Sequence, residues 1–353
     1  MNTISRIPVP DPDQHHLPSD HPGTLIKARI GVLVVNLGTP DATDYWSVRR
    51  YLNEFLSDKR VIEWPSWLWQ PILQGIVLTT RPGKSGKAYQ SIWLEETNES
   101  PLRKFTRDQA AGLAERFAAD GVEVEWAMRY GNPSIQHGID QLRGRGCTRI
   151  VIAALYPQYS APTTASVHDK VFDAFKALRW QPALRTLPPF FDDPAYISAL
   201  ATSVNTHIAE AGWEPEKLIV SYHGVPKSYF LKGDPYHCHC HKTTRLLREA
   251  LGWPQERIMT TFQSRFGPAE WLQPYTDKML EQLPTEGIKR VMVLSPAFIS
   301  DCLETLEELG EEGEEQFMHA GGEQYALIPC LNASEPALEL LHHLIRRELS
   351  GWV

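Results

Sequence analysis

The residues best suited to chemistry in this sequence stand where short β-branched runs end. His223 closes the run Lys217–His223 and is followed by Gly224 and Pro226. A tight turn after a strand aims the imidazole along the sheet axis, and an imidazole both moves protons near neutral pH and ligates iron or zinc. The spacing leaves two interpretations open for His223: a functional base or metal ligand, and a histidine bonded to a nearby carbonyl.

A run of glutamates forms the second candidate site. Glu304, Glu308, Glu311 and Glu315 are spaced i, i+4, i+7 and i+11, so an α-helix would place them on one face. Such aligned carboxylates repel one another by roughly 0.2–0.5 kcal/mol per pair, and a divalent cation would relieve that repulsion. An acidic solvated face is the alternative, and Asp301 with Glu304 also matches a helix capping box. Glu304 has the strongest geometric case because it stands nearest the preceding strand.

Eight apolar runs, which alternate with amphipathic helical stretches, must position these residues. Strand–helix alternation indicates parallel strands that are covered on both faces by helices. The predicted strands are Ile30–Asn36, Val122–Met128, Arg149–Leu155, Ala183–Leu187, Lys217–His223, Arg257–Phe262, Arg290–Leu294 and Tyr325–Pro329. The pattern predicts an α/β fold of two Rossmann-like lobes, each with a four-stranded parallel sheet flanked by helices. Because ligands of such sheets bind beyond the carboxyl ends of the strands, we expect one cleft between the lobes.

The chain divides into four segments by composition and pattern. Residues 1–27 contain five prolines and little apolar periodicity, which predicts a disordered tail. Residues 28–195 are assigned to an N-terminal lobe and residues 196–330 to a C-terminal lobe. Residues 331–353 are predicted to form a closing helix that packs back on the lobes.

Composition excludes several classes of function. The net charge of −8, from 35 Lys and Arg against 43 Asp and Glu, argues against a nucleic-acid partner. The five cysteines lack the spacing of a disulfide framework and fit a reducing cytosol. No apolar run reaches the roughly 18–20 residues that a membrane span needs. We therefore expect a soluble cytoplasmic protein.

Residues 64–88 are predicted to form a Trp-rich lip. Trp64–Leu78 is dense in aromatic and aliphatic residues but is too short and too rich in proline to span a bilayer. It fits the protein core, a lip over an apolar pocket, or a weak peripheral contact with a membrane. Arg81–Lys87 faintly resembles a phosphate loop but has Ala88 where such a loop needs Ser or Thr. We predict a mobile basic loop there.

The tract His237–His241 alternates histidine with cysteine. Its C-x-C spacing is tighter than the spacing that suits tetrahedral zinc, and no second cysteine pair lies near it in the sequence. We predict a metal-free polar loop that opens a helix at Lys242. A bound metal is the alternative.

Seven motifs of this chain resemble those of the ferrochelatase family, over a match that runs from about Gly31 to the C-terminal helix. They are Gly31–Pro40, Arg129-Tyr130, Tyr156–Ser160, Ser221–Pro226, Gly233–Tyr236, Phe262–Pro268 with Trp271, and Phe298–Leu309. The resemblance implies two lobes around a porphyrin cleft and the insertion of ferrous iron into protoporphyrin IX, with release of two protons, as the last step of haem biosynthesis. The residues of the motif Ser221–Pro226 are similar to those of the Gram-negative bacterial branch of the family, whose substrate is protoporphyrin IX.

The resemblance also implies roles for individual residues. His223 and Glu304 would form the catalytic and metal site, and Glu308 and Glu311 a path for iron. The residues implied in porphyrin binding are Leu37, Arg129, Tyr130, Tyr156, Ser160, Gln263, Trp271 and Phe298. No organic cofactor is implied, and ferrous iron is a substrate.

Two departures from family members limit the comparison. Cys302 stands where animal members carry a second histidine, and a [2Fe–2S] cluster is not expected because the chain ends at Trp352-Val353 without a cysteine-rich extension. Two alternatives stay open: a related chelatase for another tetrapyrrole or metal, and a haem or metal carrier.

Overall fold

Two parallel β-sheets form the centre of the computed structural model, which describes residues 29–353. The tail predicted for residues 1–27 lies outside the described residues. The eight strands are β1 (Arg29–Thr39), β2 (Val122–Gly131), β3 (Cys147–Ala154), β4 (Ala183–Thr186), β5 (Lys217–His223), β6 (Ile258–Gln263), β7 (Arg290–Leu294) and β8 (Gln324–Ile328). The first sheet has the order β2-β1-β3-β4 and the second β6-β5-β7-β8, so the two lobes share one topology. The predicted two-lobed α/β fold is confirmed.

Strands β1 and β2 each end three residues later than the sequence pattern predicts. Gly38 and Thr39 extend β1 and pair with Tyr130 and Gly131 of β2. A Cβ atom at Gly38 would lie only 1.9 Å from the carbonyl oxygen of Tyr130, and Gly38 has a φ of +118°. The pairing therefore depends on glycine at this position, because any side chain would push the two strands apart.

Thirteen α-helices flank the sheets of the described residues. They are α1 (Tyr45–Ser57), α2 (Ser66–Ile72), α3 (Leu78–Ser91), α4 (Pro101–Phe117), α5 (Ile135–Gly144), α6 (Ser166–Lys176), α7 (Pro194–Ala211), α8 (Lys227–Leu231), α9 (Tyr236–Leu251), α10 (Thr276–Gln282), α11 (Leu303–Thr305), α12 (Gly313–His319) and α13 (Glu335–Glu348). Three π-helical segments continue or precede helices, at Leu73–Val77, Ala161–Ala165 and Leu306–Glu312. Short 3₁₀ turns cover Ala118–Asp120, Gln255–Arg257 and Leu283–Glu286.

The basic loop predicted at Arg81–Lys87 is instead part of helix α3. Pro82 has no backbone N–H to donate to the carbonyl of Leu78, which would ordinarily disfavour a helix here. Two side chains of α1 supply the missing donors, since the Tyr45 hydroxyl and the Arg49 guanidinium bond that carbonyl at 2.9 and 2.7 Å. The prediction of a loop was wrong because these donors come from another helix.

The tract His237–His241 also lies in a helix, since α9 begins at Tyr236 and not at Lys242. The carboxylate of Asp234 accepts the backbone N–H of Tyr236 at 3.0 Å, which satisfies one of the donors left free at the start of α9. The predicted polar loop is therefore wrong, and the histidines and cysteines of the tract alternate around a helix instead.

Helices of both lobes share the largest hydrophobic cluster. Its fully buried members include Phe117 of α4, Tyr196 of α7 and Leu344 of α13. The side-chain amide of Gln109 in α4 also donates to the carbonyl of Asn332 at 2.6 Å, just before α13. These contacts hold the two sheets in one arrangement. Within residues 29–353, no helix combines the length and apolar character that crossing a membrane requires.

Candidate functional site at the strand ends

His223 stands at the carboxyl end of β5, where its backbone pairs with Gln263 of β6. Its Nδ1 lies 2.7 Å from the carbonyl oxygen of Gly224. A carbonyl only accepts hydrogen bonds, so Nδ1 carries a proton, and in the neutral form of the ring the lone pair is on Nε2. The carbonyl-bonded histidine and the functional base, which the sequence left as alternatives, are therefore compatible.

Gly224 permits the turn that places His223. A Cβ atom at this position would lie 2.7 Å from the carbonyl oxygen of Gln263 and 3.1 Å from the Trp271 ring. The backbone of Gly224 also donates to that carbonyl at 2.8 Å. The close approach needs a residue without a side chain, which explains the glycine after the histidine.

Glu304 lies in the short helix α11, and its backbone is held by β6. The side-chain amide of Gln263 donates to the Glu304 carbonyl at 2.6 Å, and the Ser221 hydroxyl donates to the Gln263 side-chain oxygen at 2.7 Å. Glu304 therefore has a fixed position relative to the strand end that carries His223.

The capping box considered for Asp301 and Glu304 does not form. The helix cap is Cys302, whose backbone N–H bonds the Thr305 hydroxyl at 3.0 Å. Asp301 instead accepts hydrogen bonds from Thr305, Cys330 and Asn332 at 3.0, 3.2 and 2.6 Å. These three hydrogen bonds hold the Asp301 carboxylate in a buried network and not at the start of the helix. The carboxylate of Glu304 is therefore not used in a capping box and is available for another role.

Glu308 is a third acidic side chain of the site, and it is bonded to the residue that follows β6. It accepts a hydrogen bond from the Ser264 hydroxyl at 2.5 Å. Burial raises the pKa of Glu308, the Ser264 bond and the charge of His223 oppose that rise, and the charge of Glu304 adds to it. Gln263, the residue before Ser264, bonds the Glu304 backbone and pairs with His223, so Glu308 is held at the same strand end, and burial increases its proton affinity.

The acidic face predicted from α-helical spacing does not continue past Thr305. Leu306–Glu312 is a π-helix, which turns more slowly than an α-helix, so the i, i+4, i+7, i+11 alignment is wrong beyond α11. The Tyr325 hydroxyl donates to the Leu309 carbonyl at 2.5 Å and competes with the helical donors for it. An outside donor of this kind is a recognised cause of a helix distortion.

Glu307 enters the acidic group as a consequence of this wider turn. Burial, followed by the charges of Glu312, Glu308 and Glu311, raises the pKa of Glu307 to about 7. Glu311 and Glu312 are exposed, so the acidic group extends from the half-buried Glu308 to the surface.

Comparison with known proteins matches the ferrochelatase family model to residues 29–349. The chain belongs to the ferrochelatase family. The protein named Ferrochelatase from Allorhizobium ampelinum is 59% identical over 340 residues, which cover 96% of this chain and 98% of that protein. The protein of the same name from Rhizobium meliloti is 61% identical over 326 residues, which cover 92% and 96%. The family predicted from the motifs is confirmed.

Solved structures show the same fold at low sequence identity. SirB from Bacillus subtilis, with Fe³⁺, has a TM-score of 0.53 at 14% identity and covers 90% of this chain and 95% of its own. CbiX, described as the terminal enzyme for biosynthesis of sirohaem in denitrifying bacteria, has a TM-score of 0.50 at 15% identity and covers 90% and 98%.

Arg129 and Tyr130, which the ferrochelatase motifs imply near the porphyrin, lie in a closed network in the N-terminal lobe. Asp58 accepts from the Arg129 guanidinium at 2.5 Å, the Tyr130 hydroxyl at 2.8 Å and the Ser166 hydroxyl at 2.5 Å. Burial opposes the ionisation of Asp58, but the bonds from Ser166, the Arg60 amide and Tyr130, with the charge of Arg129, hold its pKa below the usual range. Tyr130 is completely buried.

Asp58 and Ser166 are residues that sequence reasoning missed. Asp58 ends helix α1 and Ser166 begins helix α6, far apart in the chain, so no local pattern marks them as partners. Ser160 likewise bonds Asp234 at 3.0 Å and thereby links the lobes. The quoted Gly233–Tyr236 motif contains Asp234, but its sequence gave no indication of this bond.

Two buried tyrosines of the N-terminal lobe, Tyr51 and Tyr89, belong to the hydrophobic cluster against which the Glu304 segment packs, and the sequence did not identify either of them. Burial raises the pKa of both Tyr51 and Tyr89, and the charge of Glu304 raises each further. Leu303 and Leu306, which flank the Glu304 segment, pack against the same hydrophobic cluster. Glu304 therefore lies between the two lobes.

The apolar residues implied by the resemblance are placed at several points around the strand ends. Leu37 is half-buried and packs against two clusters of the N-terminal lobe. Tyr156 and Trp271 are buried, and neither the Tyr156 hydroxyl nor the Trp271 indole N–H has a hydrogen-bond partner among residues 29–353. Phe298 lines a small cavity together with Leu200.

The Trp-rich lip, residues 64–88, buries Leu73 and Leu78 in the hydrophobic cluster of the N-terminal lobe and presents other apolar side chains to solvent. Trp67 is 79% exposed and Ile76 is 62% exposed. The Arg81 guanidinium lies over the Phe266 ring, 5.4 Å from its centre, and Phe266 in turn contacts Trp271. The lip therefore reaches the loop that follows β6 in the other lobe.

The His/Cys tract in α9 has two kinds of histidine. The His239 ring stacks on Phe191 at 3.6 Å and accepts the Tyr159 N–H at 3.2 Å. His237 and His241 instead lie beside each other, with ring centres 4.4 Å apart. Within the described part of the chain, no group of three or more His, Cys, Asp or Glu side chains is arranged to hold a metal ion.

Proposed function

We propose that this protein is a ferrochelatase, a lyase-class enzyme that inserts ferrous iron into protoporphyrin IX and releases two protons, as the last step of haem biosynthesis. The relatives of that name cover almost the whole chain. The observation that carries the proposal is the end of β6, where Gln263 pairs with His223 and bonds the Glu304 backbone while the next residue, Ser264, bonds Glu308; α/β folds bind ligands at such strand ends.

His223 acts as the first proton acceptor in this proposal. A free-base porphyrin presents two inward N–H groups, which must leave before a cation enters the ring. The Nδ1–H bond to Gly224 keeps the Nε2 lone pair available, and a base in that state accepts a pyrrole proton directly. Holding the ring bent would expose its nitrogen lone pairs and bring it closer to the metallation transition state.

Glu304 and Glu308 are the groups proposed to bind ferrous iron and to accept the second pyrrole proton. With His223 they offer the oxygen and nitrogen donor types that suit ferrous iron, although the three side chains are not arranged as a metal site within residues 29–353. The raised pKa of Glu308 makes it a suitable acceptor for the second proton. Glu311, which is exposed, would connect these two half-buried carboxylates to solvent and so serve as the outer part of an iron path.

The porphyrin would be held by apolar contacts from both lobes. Leu37, Tyr156 and Trp271 are the proposed wall residues, and a flat hydrophobic ligand gains most of its affinity from such surfaces. Phe298 is proposed to support the wall. Arg129, Tyr130, Ser160 and Gln263 are proposed to act by positioning, because each is engaged in hydrogen bonds within the protein.

The proposed reaction exchanges one dication for two protons and transfers no electron. It therefore requires no organic cofactor and no [2Fe–2S] cluster. We place the enzyme in the cytoplasm, with a weak peripheral contact between the lip and the inner membrane face. Exposed Trp67 and Ile76 support that contact, since Trp favours the membrane–water boundary.

An anaerobic assay with purified protein, ferrous iron and protoporphyrin IX tests the proposal. A ferrochelatase forms protohaem over many turnovers, whereas a haem or metal carrier binds one equivalent and stops. Replacing the substrates with cobalt and a corrin precursor tests the remaining alternative, a chelatase that acts on another tetrapyrrole. Faster turnover of that pair would contradict the proposed substrates.

A further inference from the structure

Helix α9 carries two histidines that are one helical turn apart and lie side by side. The ring centres of His237 and His241 are 4.4 Å apart, with 49° between the ring planes. His241 is exposed and His237 is half-buried, so solvent reaches the pair. His239 does not belong to it, because its ring stacks on Phe191 and its Nδ1 accepts a backbone N–H.

Aromatic neighbours hold the pair in place. His237 contacts Phe230, with ring centres 5.0 Å apart, and lies parallel to Phe262 at 6.1 Å. His241 also lies 6.1 Å from Phe262. Side chains that are already restricted lose less conformational freedom when they bind a ligand, so this packing favours the simultaneous use of both imidazoles.

We propose that His237 and His241 form an exchangeable site for one divalent transition-metal ion, separate from the proposed iron-insertion site. Residues at i and i+4 share a helix face, which lets two imidazoles bind the same cation. Imidazole suits Ni²⁺, Cu²⁺ and Zn²⁺. With no third protein ligand grouped here among residues 29–353, water completes the coordination, and the ion exchanges with solvent.

The location of the pair distinguishes it from an arbitrary surface feature. Both rings contact Phe262, the residue before Gln263 in β6, and Gln263 bonds the Glu304 backbone. The proposed site therefore lies beside the end of β6, the strand whose next residue, Gln263, pairs with His223. Aromatic packing alone is the competing explanation for the two histidines.

Equilibrium dialysis against Ni²⁺, without iron or porphyrin, tests the proposal. The full-length chain is used with His15, His16 and His21 replaced by Gln, so that these three imidazoles do not contribute. We compare that protein with His237→Gln, His241→Gln, the double variant and His343→Gln, an exposed control histidine in α13. We expect the double variant to bind one equivalent fewer, each single variant to bind that equivalent at least 10-fold more weakly, and the control to be unchanged.

A second measurement separates loss of the site from loss of the fold. Ni²⁺ should raise the thermal unfolding midpoint of the parent protein and of the His343→Gln control, and should raise that of the double variant less. Equal Ni²⁺ binding and equal stabilisation in the parent and the double variant would overturn the proposal and leave aromatic packing as the role of the pair. Because porphyrin is absent, the result does not depend on the proposed iron insertion.

Discussion

The side-chain amide of Gln263 donates a hydrogen bond to the backbone carbonyl of Glu304 at 2.6 Å. Gln263 is also the residue that pairs with His223 across β5 and β6, and its side-chain oxygen accepts the Ser221 hydroxyl at 2.7 Å. One buried amide therefore connects the strand that carries the histidine to the helix that carries the glutamate. The distance between the two proposed catalytic groups depends on this side chain.

Replacing Gln263 with Ala should lower kcat by about 10-fold and change the KM for protoporphyrin by less than about twofold. Losing the hydrogen bond from Gln263 to the Glu304 carbonyl costs roughly 1–3 kcal/mol of free energy. We expect this loss to displace Glu304 from its catalytic position. Steady-state kinetics of Gln263→Ala and of the exposed control Gln282→Ala check this. A folded Gln263→Ala enzyme with wild-type kcat would exclude a positioning role.

Replacing His223 with Ala should abolish metallation and leave porphyrin binding largely intact. Apolar contacts supply most of the affinity for the macrocycle, whereas the imidazole acts at the ring centre. Porphyrin fluorescence titration measures binding, and an anaerobic iron-insertion assay measures activity. His207→Ala, a partly exposed histidine of α7, is the control. Activity above a tenth of wild type in His223→Ala would rule out His223 as the base.

Replacing Glu307 with Gln should stabilise the protein at pH 8 and much less at pH 5.5. The pKa of Glu307 is raised from 4.5 to about 7, so the unfolded chain releases this proton at a lower pH than the folded protein does, and stability falls as pH rises from about 4.5 to about 7. A shift of this size corresponds to about 3 kcal/mol for a fully buried group, and solvent screening at this partly exposed position reduces it to roughly 1 kcal/mol.

Urea unfolding at the two pH values gives the free energies for the Glu307 prediction. Glu315→Gln, an exposed glutamate of the adjoining helix α12, serves as the control and should change stability little at either pH. A gain for Glu307→Gln that is equal at pH 5.5 and pH 8 would show that the charge of Glu307 is not the cause.

Replacing Trp67 with Ser should weaken the association of the protein with lipid vesicles by about fivefold or more. Trp67 is 79% exposed on the lip, and removing such a side chain from the membrane–water boundary removes apolar contact. Trp180, which is 49% exposed and lies outside the lip, provides the matched control Trp180→Ser. Vesicle sedimentation measures both. Equal loss in the two variants would contradict a specific contact through the lip.

The strands and the strand-end location of the site could be predicted from the sequence because both depend on local patterns. β-Branched runs buried on both faces mark the strands, and parallel sheets collect their functional residues at one edge. His223 and Glu304 follow from that rule. Their relation to Glu308 could not be derived from spacing, since it depends on how the segment after Thr305 turns.

Two of the errors share one physical cause, which is a hydrogen bond supplied by a distant element. Tyr45 and Arg49 satisfy the carbonyl that Pro82 leaves free and so allow helix α3, and Tyr325 bonds a carbonyl within the π-helix. Asp58, between Arg129 and Tyr130, was missed for the same reason. Pairings over such sequence separations leave no periodic signal.

Anaerobic iron insertion by the purified wild-type protein tests the central claim most directly. Ferrous iron and protoporphyrin IX are supplied in large excess over the enzyme, and protohaem is followed by its absorption spectrum. The account predicts many equivalents of protohaem per protein, with two protons released for each iron inserted. Formation of no more than one equivalent, with the porphyrin bound but not metallated further, would contradict it.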